Sequence, residues 1–220
     1  MAEFLLALAS VILINIVLSG DNAVVIAMAS RSLEDSQRKK AIFWGSALAV
    51  ILRIALVVVA TFLLRIPMLQ FFGGIALIYI GFHLLVSGDD DVNIKSSNSL
   101  GKAIQTILIA DLIMSVDNVL AIAGVAKGNW IVLIFGLAVS VPIVILGASI
   151  LSKLMNRFPV IVYIGAALIA YTAAEMMVSD VKVGPYLEPY GLILKIAIPA
   201  LVVGLGFLVH RRAVLKKAKG

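Results

Sequence analysis

The sequence predicts an all-α polytopic membrane protein: seven transmembrane helices, built as two inverted three-helix repeats plus one C-terminal helix. Three observations predict it. First, the 220 residues are 62% apolar and 14% charged, against roughly 45–50% and about 25% in soluble domains, and mean hydropathy is +1.13. Second, the apolar residues fall into seven runs near the about 20 residues that a span needs. Third, a polar motif occurs twice inside those runs, as Ser19-Gly20-Asp21-Asn22 and Ser115-Val116-Asp117-Asn118. A carboxylate at mid-bilayer costs roughly 2.5–3.5 kcal/mol even on insertion scales, so a chain that places it there twice is expected to use it.

The first run covers about residues 4–29 and follows Met1-Ala2-Glu3 directly. With no basic segment before it and too long an apolar stretch for a signal peptide, it is expected to be a retained span. A basic loop, Arg31 to Lys40, leads to the second run, 41–64, which contains Arg53. Arg65-Ile66-Pro67 makes a short connection, because proline disfavours helix just before it and favours a helix start. The third run is 68–86. The most polar stretch follows, Gly88 to Lys102, where Asp89-Asp90-Asp91 reads as a solvated acidic run. The fourth run is 103–126, the turn Lys127-Gly128-Asn129 follows, and the fifth is 130–151 with Pro142 inside it. Lys153 to Pro159 connects to the sixth, 160–178. A loop with two prolines separates this from the seventh, 192–209, where Pro199 is expected to kink the helix, and a basic tail ends the chain.

Residues 1–220 thus form a single transmembrane domain: a first repeat over 1–88, a second over 103–178, and the seventh helix. The net charge of +6 does not indicate nucleic acid, since the basic residues sit in loops and the tail, where they set topology and meet anionic lipid. Thirteen Lys and Arg fall on one side of this layout and three on the other, which places the N-terminus outside and the C-terminus in the cytoplasm. Trp44 and Trp130 fall near span ends, as in an aromatic belt. With no cysteine, disulfides and thiolate metal sites are excluded.

An offset of 96 residues sets Asn15 on Asp111, Ser19 on Ser115, Asp21 on Asp117, Asn22 on Asn118 and Ile26 on Ile122. An offset of 91 continues the match, Gly45 on Gly136 and Gly74 to Ile78 on Gly165 to Ile169. Three spans per copy is an odd number, so the copies enter the membrane in opposite senses, as in many secondary transporters whose site lies at midplane between repeats. Asn15, Ser19 and Asn22 stand at i, i+4 and i+7, on one helix face, and Asp111, Ser115 and Asn118 repeat the pattern. The two stripes can converge with both aspartates at their edges. Gly20 lets the first helix open and free backbone carbonyls, an option less open to the second copy, which has Val116.

The apolar spans hold Asp21, Asp111, Asp117 and Glu175 against Arg53, with Lys195 close enough to a span end to reach outward. The acidic excess suits a cation, and carboxylate, amide and hydroxyl oxygens suit a hard divalent ion such as Mg²⁺, Ca²⁺ or Mn²⁺. Candidate metal ligands are therefore Asp21, Asn22, Asp117, Asn118, Glu175, Asn15, Ser19, Asp111 and Ser115, with Arg53 as counter-ion. Glu175 is also a candidate proton carrier. Asp111 lies about two turns into its expected span, within reach of water. His83 reads as an interfacial histidine and His210 as part of the tail. Other readings stay open on these residues: an aspartate–asparagine pair that holds helices together, an amino-acid or small-solute exporter with Arg53 as anion partner, an intramembrane aspartyl protease built on Asp21 and Asp117, and a membrane scaffold for metallating exported proteins. Neither motif has the Gly-x-Gly-Asp form a protease would favour. A non-enzymatic transporter is the expectation, with oligomeric state left open.

The repeated Asp-Asn motif, Tyr163-Ile164-Gly165-Ala166-Ala167-Leu168-Ile169-Ala170-Tyr171 and Glu175 resemble the TerC family of integral membrane proteins, most of all its short bacterial members, over essentially the whole chain. The resemblance implies a LysE-superfamily-like fold, a bacterial plasma-membrane location and export of Mn²⁺ as transported substrate, with no bound cofactor. It also implies a part in supplying metal to exported metalloenzymes, and it carries the Asp-Asn pairs and the sixth-span acid onto the matching residues here. The family takes its name from tellurite resistance.

Overall fold

A backbone in lipid has no water to pair with, so each span must satisfy its own N–H and C=O groups. The computed structural model describes residues 2–63, 66–86, 96–126 and 129–217, and the side chains within them except 2–5, 17, 60–63, 96–99, 117, 119–121, 123–126 and 213–217. The Asp89-Asp90-Asp91 run, Arg65, Lys95, Lys127, Lys219 and the side chain of Asp117 lie outside the described residues. The described elements are all helical: α1 Ala2–Leu18, α2 Gly20–Ser30, α3 Asp35–Leu63, α4 Leu69–Val86, α5 Ser96–Ala126, α6 Trp130–Arg157, α7 Val160–Ser179, the short α8 Gly184–Leu187 with a 3-10 turn Glu188–Tyr190, and α9 Gly191–Lys217.

Five of these helices are long and apolar enough to cross a membrane, or six if the bent pair α1 and α2 is one span. α5 stands at the place of the remaining expected crossing and is 31 residues long, about 46 Å at helical rise. It is not among the helices that qualify over the described residues. The expected runs underestimate several helices. α3 begins at Asp35 rather than 41, α5 at Ser96 rather than 103, and α6 extends to Arg157 rather than 151. Lysines and arginines are good helix formers, so α3 and α6 continue past the apolar core into charged sequence. Pro142 and Pro199 lie inside α6 and α9, which run on through them.

α3 packs on α5, and α6 packs on α1 and α2. α4 packs on α7, α3 on α6, and α5 on both α1 and α2. α9 lies against α7 and α4. The largest core cluster gathers around α7, where Ala166, Ile169, Ala170 and Ala173 are fully buried against residues of α2, α4, α5 and α9. Glycines set the closest approaches. A Cβ at Gly45 would stand 2.8 Å from Ile107 Cδ1, and one at Gly136 would collide with Val11 Cγ1. Gly136 lies 91 residues after Gly45 and Ile107 lies 96 after Val11. The offsets of the sequence repeat therefore recur as equivalent contacts between helices.

Both ends of the bundle are tied by polar contacts. At one end Arg31 Nη2 donates to Leu84 O (3.3 Å) and Asn156 Nδ2 donates to Arg31 O (3.1 Å), joining the ends of α2, α4 and α6. At the other end the buried Asp180 carboxylate follows α7 and accepts from Phe71 N (3.2 Å), Lys182 N (2.9 Å) and Val183 N (3.0 Å). Burial alone would raise the pKa of Asp180. The N–H groups of Val183, Lys182, Phe71 and Gln70 outweigh it and hold the carboxyl below its usual range.

The equivalent glycine contacts predict equivalent losses. Gly45→Val and Gly136→Val should each destabilise the protein by about 1–3 kcal/mol through overpacking, read as similar drops in unfolding temperature in detergent. Gly147→Ala, where an added Cβ meets nothing within 4 Å, should leave that temperature unchanged or higher.

Candidate functional site

Two polar groups form where α1, α2, α3, α5, α6 and α7 meet. The first is centred on Arg53 of α3, 3% exposed. Its Nη2 donates to Asp111 Oδ1 (2.6 Å) and its Nε to Ser115 Oγ (3.0 Å), both on α5. Its Nη1 donates to Asn15 Oδ1 (2.9 Å) and Ser19 Oγ (3.2 Å), at the end of α1. Ser115 Oγ donates to Asp111 Oδ2 (3.1 Å), and Asn15 Nδ2 donates to Ser140 Oγ on α6. The two stripes thus converge on one guanidinium. Its fork of five fixed N–H donors suits two acceptor rows at once. Asp111 is 5% exposed and lies mid-helix, because α5 begins at Ser96. The alternative of a hydrated Asp111 near a helix end does not fit this burial.

The second group forms at the break between α1 and α2. α1 stops at Leu18, Ser19 is non-helical (φ −104°, ψ 5°), and α2 restarts at Gly20 with a bend of 45°. A continuous helix would pair Asn22 N with Leu18 O. Here Asn22 N donates to Asp21 Oδ1 (2.8 Å), in the manner of a carboxylate at a helix start. The freed Leu18 carbonyl accepts instead from the amides of Asn118 (3.2 Å) and Asn22 (3.5 Å). Asn22 is 4% exposed and its Oδ1 has no hydrogen-bond partner among the described residues. Asp21 Oδ2 accepts from Thr172 Oγ1 of α7 (3.3 Å). The ion pairs among the described residues are Arg38–Asp35, Arg53–Asp111 and Lys195–Glu175, and Asp21 is in none of them.

Of the candidate residues, Asn15, Ser19, Asp111, Ser115 and Arg53 meet in the first group, and Asp21, Asn22 and Asn118 in the second. The side chain of Asp117 lies outside the described residues, although the helix that carries it runs unbroken through Val116. Glu175 is not brought to either group. Its Oε1 pairs with Lys195 Nζ of α9 (3.0 Å), which also stands 5.8 Å from the Tyr171 ring centroid. No three acidic or histidine side chains converge among the described residues, and the described oxygens at the break are one carboxylate plus amide, carbonyl and hydroxyl groups. Sequence reading passed over three participants. Thr172 and Ser140 have Gly81 and Ala49 at the repeat-equivalent positions, so no repeated pattern singles them out. Leu18 contributes a backbone oxygen, which its apolar side chain does not advertise.

The Arg53–Asp111 pair predicts a double-mutant signature. Arg53→Gln or Asp111→Asn alone should destabilise by about 3–5 kcal/mol, because each leaves a buried charge unpaired. The double variant should recover most of that loss in thermal unfolding in detergent.

Residues 1–219 match the family described as integral membrane protein TerC family. The uncharacterized membrane protein YjbE of Bacillus subtilis (strain 168) is 45% identical over 201 residues, 91% of this chain and 92% of the relative. YkoY of the same organism, also an uncharacterized membrane protein, is 28% identical over 194 residues, 76% of this chain and 60% of the relative. No solved structure matches. The repeated Asp-Asn motif, the several apolar helices and a match from end to end lead to one conclusion: the chain belongs to the TerC family of integral membrane proteins.

Proposed function

We propose that this protein is a secondary transporter that exports a divalent metal cation from the cytoplasm, with Mn²⁺ as the first candidate. One observation carries the reading: a buried Asn22 Oδ1 with no partner among the described residues, beside an Asp21 carboxylate that is in no ion pair among them, at a helix break. A buried polar atom without a partner calls for a ligand or ion. Broken helices with freed carbonyls are the ion sites of many secondary transporters. The oxygens near the break belong to Asp21, Asn22, Leu18 and Thr172, a hard donor set that suits Mg²⁺, Ca²⁺ or Mn²⁺. Asp111 is already neutralised by Arg53. Asp21 then remains for the cation, with Asp117 as its repeat equivalent and second carboxylate.

Seven crossings and an inverted repeat suit the packing. Exchanging α1 and α2 with α5, α3 with α6, and α4 with α7 maps the main contacts onto one another, α3 on α5 onto α6 on α1 and α2, and α2 on α7 onto α4 on α5. The ends of α2, α4 and α6 are tied together, while α7 ends beside the start of α4, which fits spans that alternate in direction. Rocking of one repeat against the other would open the break to each side in turn. With the basic loops inside, the N-terminus is outside a bacterial plasma membrane and the C-terminus is cytoplasmic. The rival export of amino acids would need a central anion partner, and Arg53 is bound on all sides.

Purified protein in proteoliposomes should carry Mn²⁺, tested against Mg²⁺, Ca²⁺ and Zn²⁺ under an imposed pH gradient. Asp21→Asn should reduce flux to background while the protein still inserts. Absence of flux for all four ions, or full flux by Asp21→Asn, would overturn the reading, and the first outcome would favour a scaffold role in metallation. A reporter enzyme that works only in the cytoplasm should be active when fused to the C-terminus, and activity solely outside the cell would reverse the topology.

A further inference from the structure

We infer that Thr172 is a specificity-determining residue of the cation site: its hydroxyl oxygen stands beside Oδ2 of the Asp21 carboxylate and helps select hard divalent ions over soft ones. The inference rests on the proposed cation-binding role of Asp21. The two oxygens of that carboxylate are not equivalent. Oδ1 is held by Asn22 N at 2.8 Å, so it is turned toward the start of α2. Oδ2 has Thr172 Oγ1 at 3.3 Å, from a helix on the other side of the site. A cation that binds the freer oxygen, Oδ2, arrives beside the Thr172 hydroxyl.

A threonine hydroxyl has one donor proton and two acceptor lone pairs. In the present arrangement it donates to Asp21. A helical threonine can also donate to the carbonyl four residues earlier, here that of Leu168. Turning the O–H that way releases Oδ2 and directs lone pairs at the guest. The same group thus satisfies the carboxylate in one state and offers an oxygen in the other, with no change of protonation. The buried Asn22 Oδ1 points independently to a guest at this place.

The repeat makes the position distinctive. Gly81 of α4 is equivalent to Thr172, and a Cβ there would stand 3.0 Å from Ile169 Cγ2. Gly81 carries no side chain, so α4 supplies no hydroxyl where α7 supplies one. The selecting oxygen therefore comes from one repeat, and the site is asymmetric even though its Asp-Asn motif is duplicated.

Equilibrium binding of Mn²⁺ and Cd²⁺ to purified protein in nanodiscs tests this, with Asp21→Asn as reference for the central site. Thr172→Val, which keeps the shape and removes the hydroxyl, should weaken Mn²⁺ by about tenfold or more. Thr172→Ser should restore it. Thr172→Cys, which replaces a hard oxygen with a soft sulfur, should shift the Cd²⁺ to Mn²⁺ affinity ratio toward Cd²⁺ by about tenfold or more. A packing role alone would not move that ratio, nor let serine, which lacks the methyl, substitute for threonine. If Asp21→Asn abolishes binding but neither Thr172→Val nor Thr172→Cys changes affinity or ratio, the inference fails and the functional reading stands. If the unaltered protein binds neither ion, or Asp21→Asn binds as the unaltered protein does, the functional reading fails and takes the inference with it.

Discussion

The guanidinium of Arg53 is the interaction on which the centre of this protein depends. It meets Asn15 of α1, Ser19 at the break, and Asp111 and Ser115 of α5, so one side chain of α3 joins the two corresponding stripes. In a low-dielectric interior, an isolated Asp111 or Arg53 would be strongly unfavourable, and a satisfied pair is tolerated. Lysine would not serve as well, because its three donors radiate from one point, whereas the fork of arginine reaches two rows. The pairing also divides the acidic residues by role. Asp111 is neutralised within the bundle, while Asp21, one turn past the end of α1, keeps an oxygen directed at Thr172.

The two copies of the motif differ in backbone more than in sequence. The first span breaks at Ser19 and bends by 45°, and α5 passes through Ser115 and Val116 as continuous helix. The difference follows the residues that are not shared. Gly20 has little helix propensity and open space around it, whereas Val116 continues the helix. Asp111 attracts Arg53 to the α5 side, and its equivalent Asn15 instead donates to Ser140 of α6. The repeated motif thus lies on one broken and one straight element, and the broken one carries the proposed cation site.

Membrane burial explains why so few polar residues bear this arrangement. Each buried donor or acceptor needs a partner where water is absent, so the polar residues of the spans meet one another and do not scatter. Glu175 follows the same rule by another route. Near the end of α7, half exposed, it takes the ammonium of Lys195 from α9. Proximity along α7 to Thr172 did not bring it into the central group, because its side chain is directed toward α9.

The class of protein, the approximate helices, the repeat and the residues Asn15, Ser19, Asp111, Ser115, Asp21 and Asn22 could all be read from the chain alone. They are legible because lipid imposes long apolar runs and makes every polar interruption conspicuous, and because equivalent positions repeat at fixed offsets. The partition among those residues was not legible. That Asp111 belongs to Arg53, that Glu175 belongs to Lys195, that Thr172 meets Asp21 and that Asn118 reaches the Leu18 carbonyl depend on contacts between helices far apart in sequence. Helix periodicity assigns a residue to a face, but the neighbour across that face is set by how the helices pack and where one of them breaks. Those are properties of the assembled bundle.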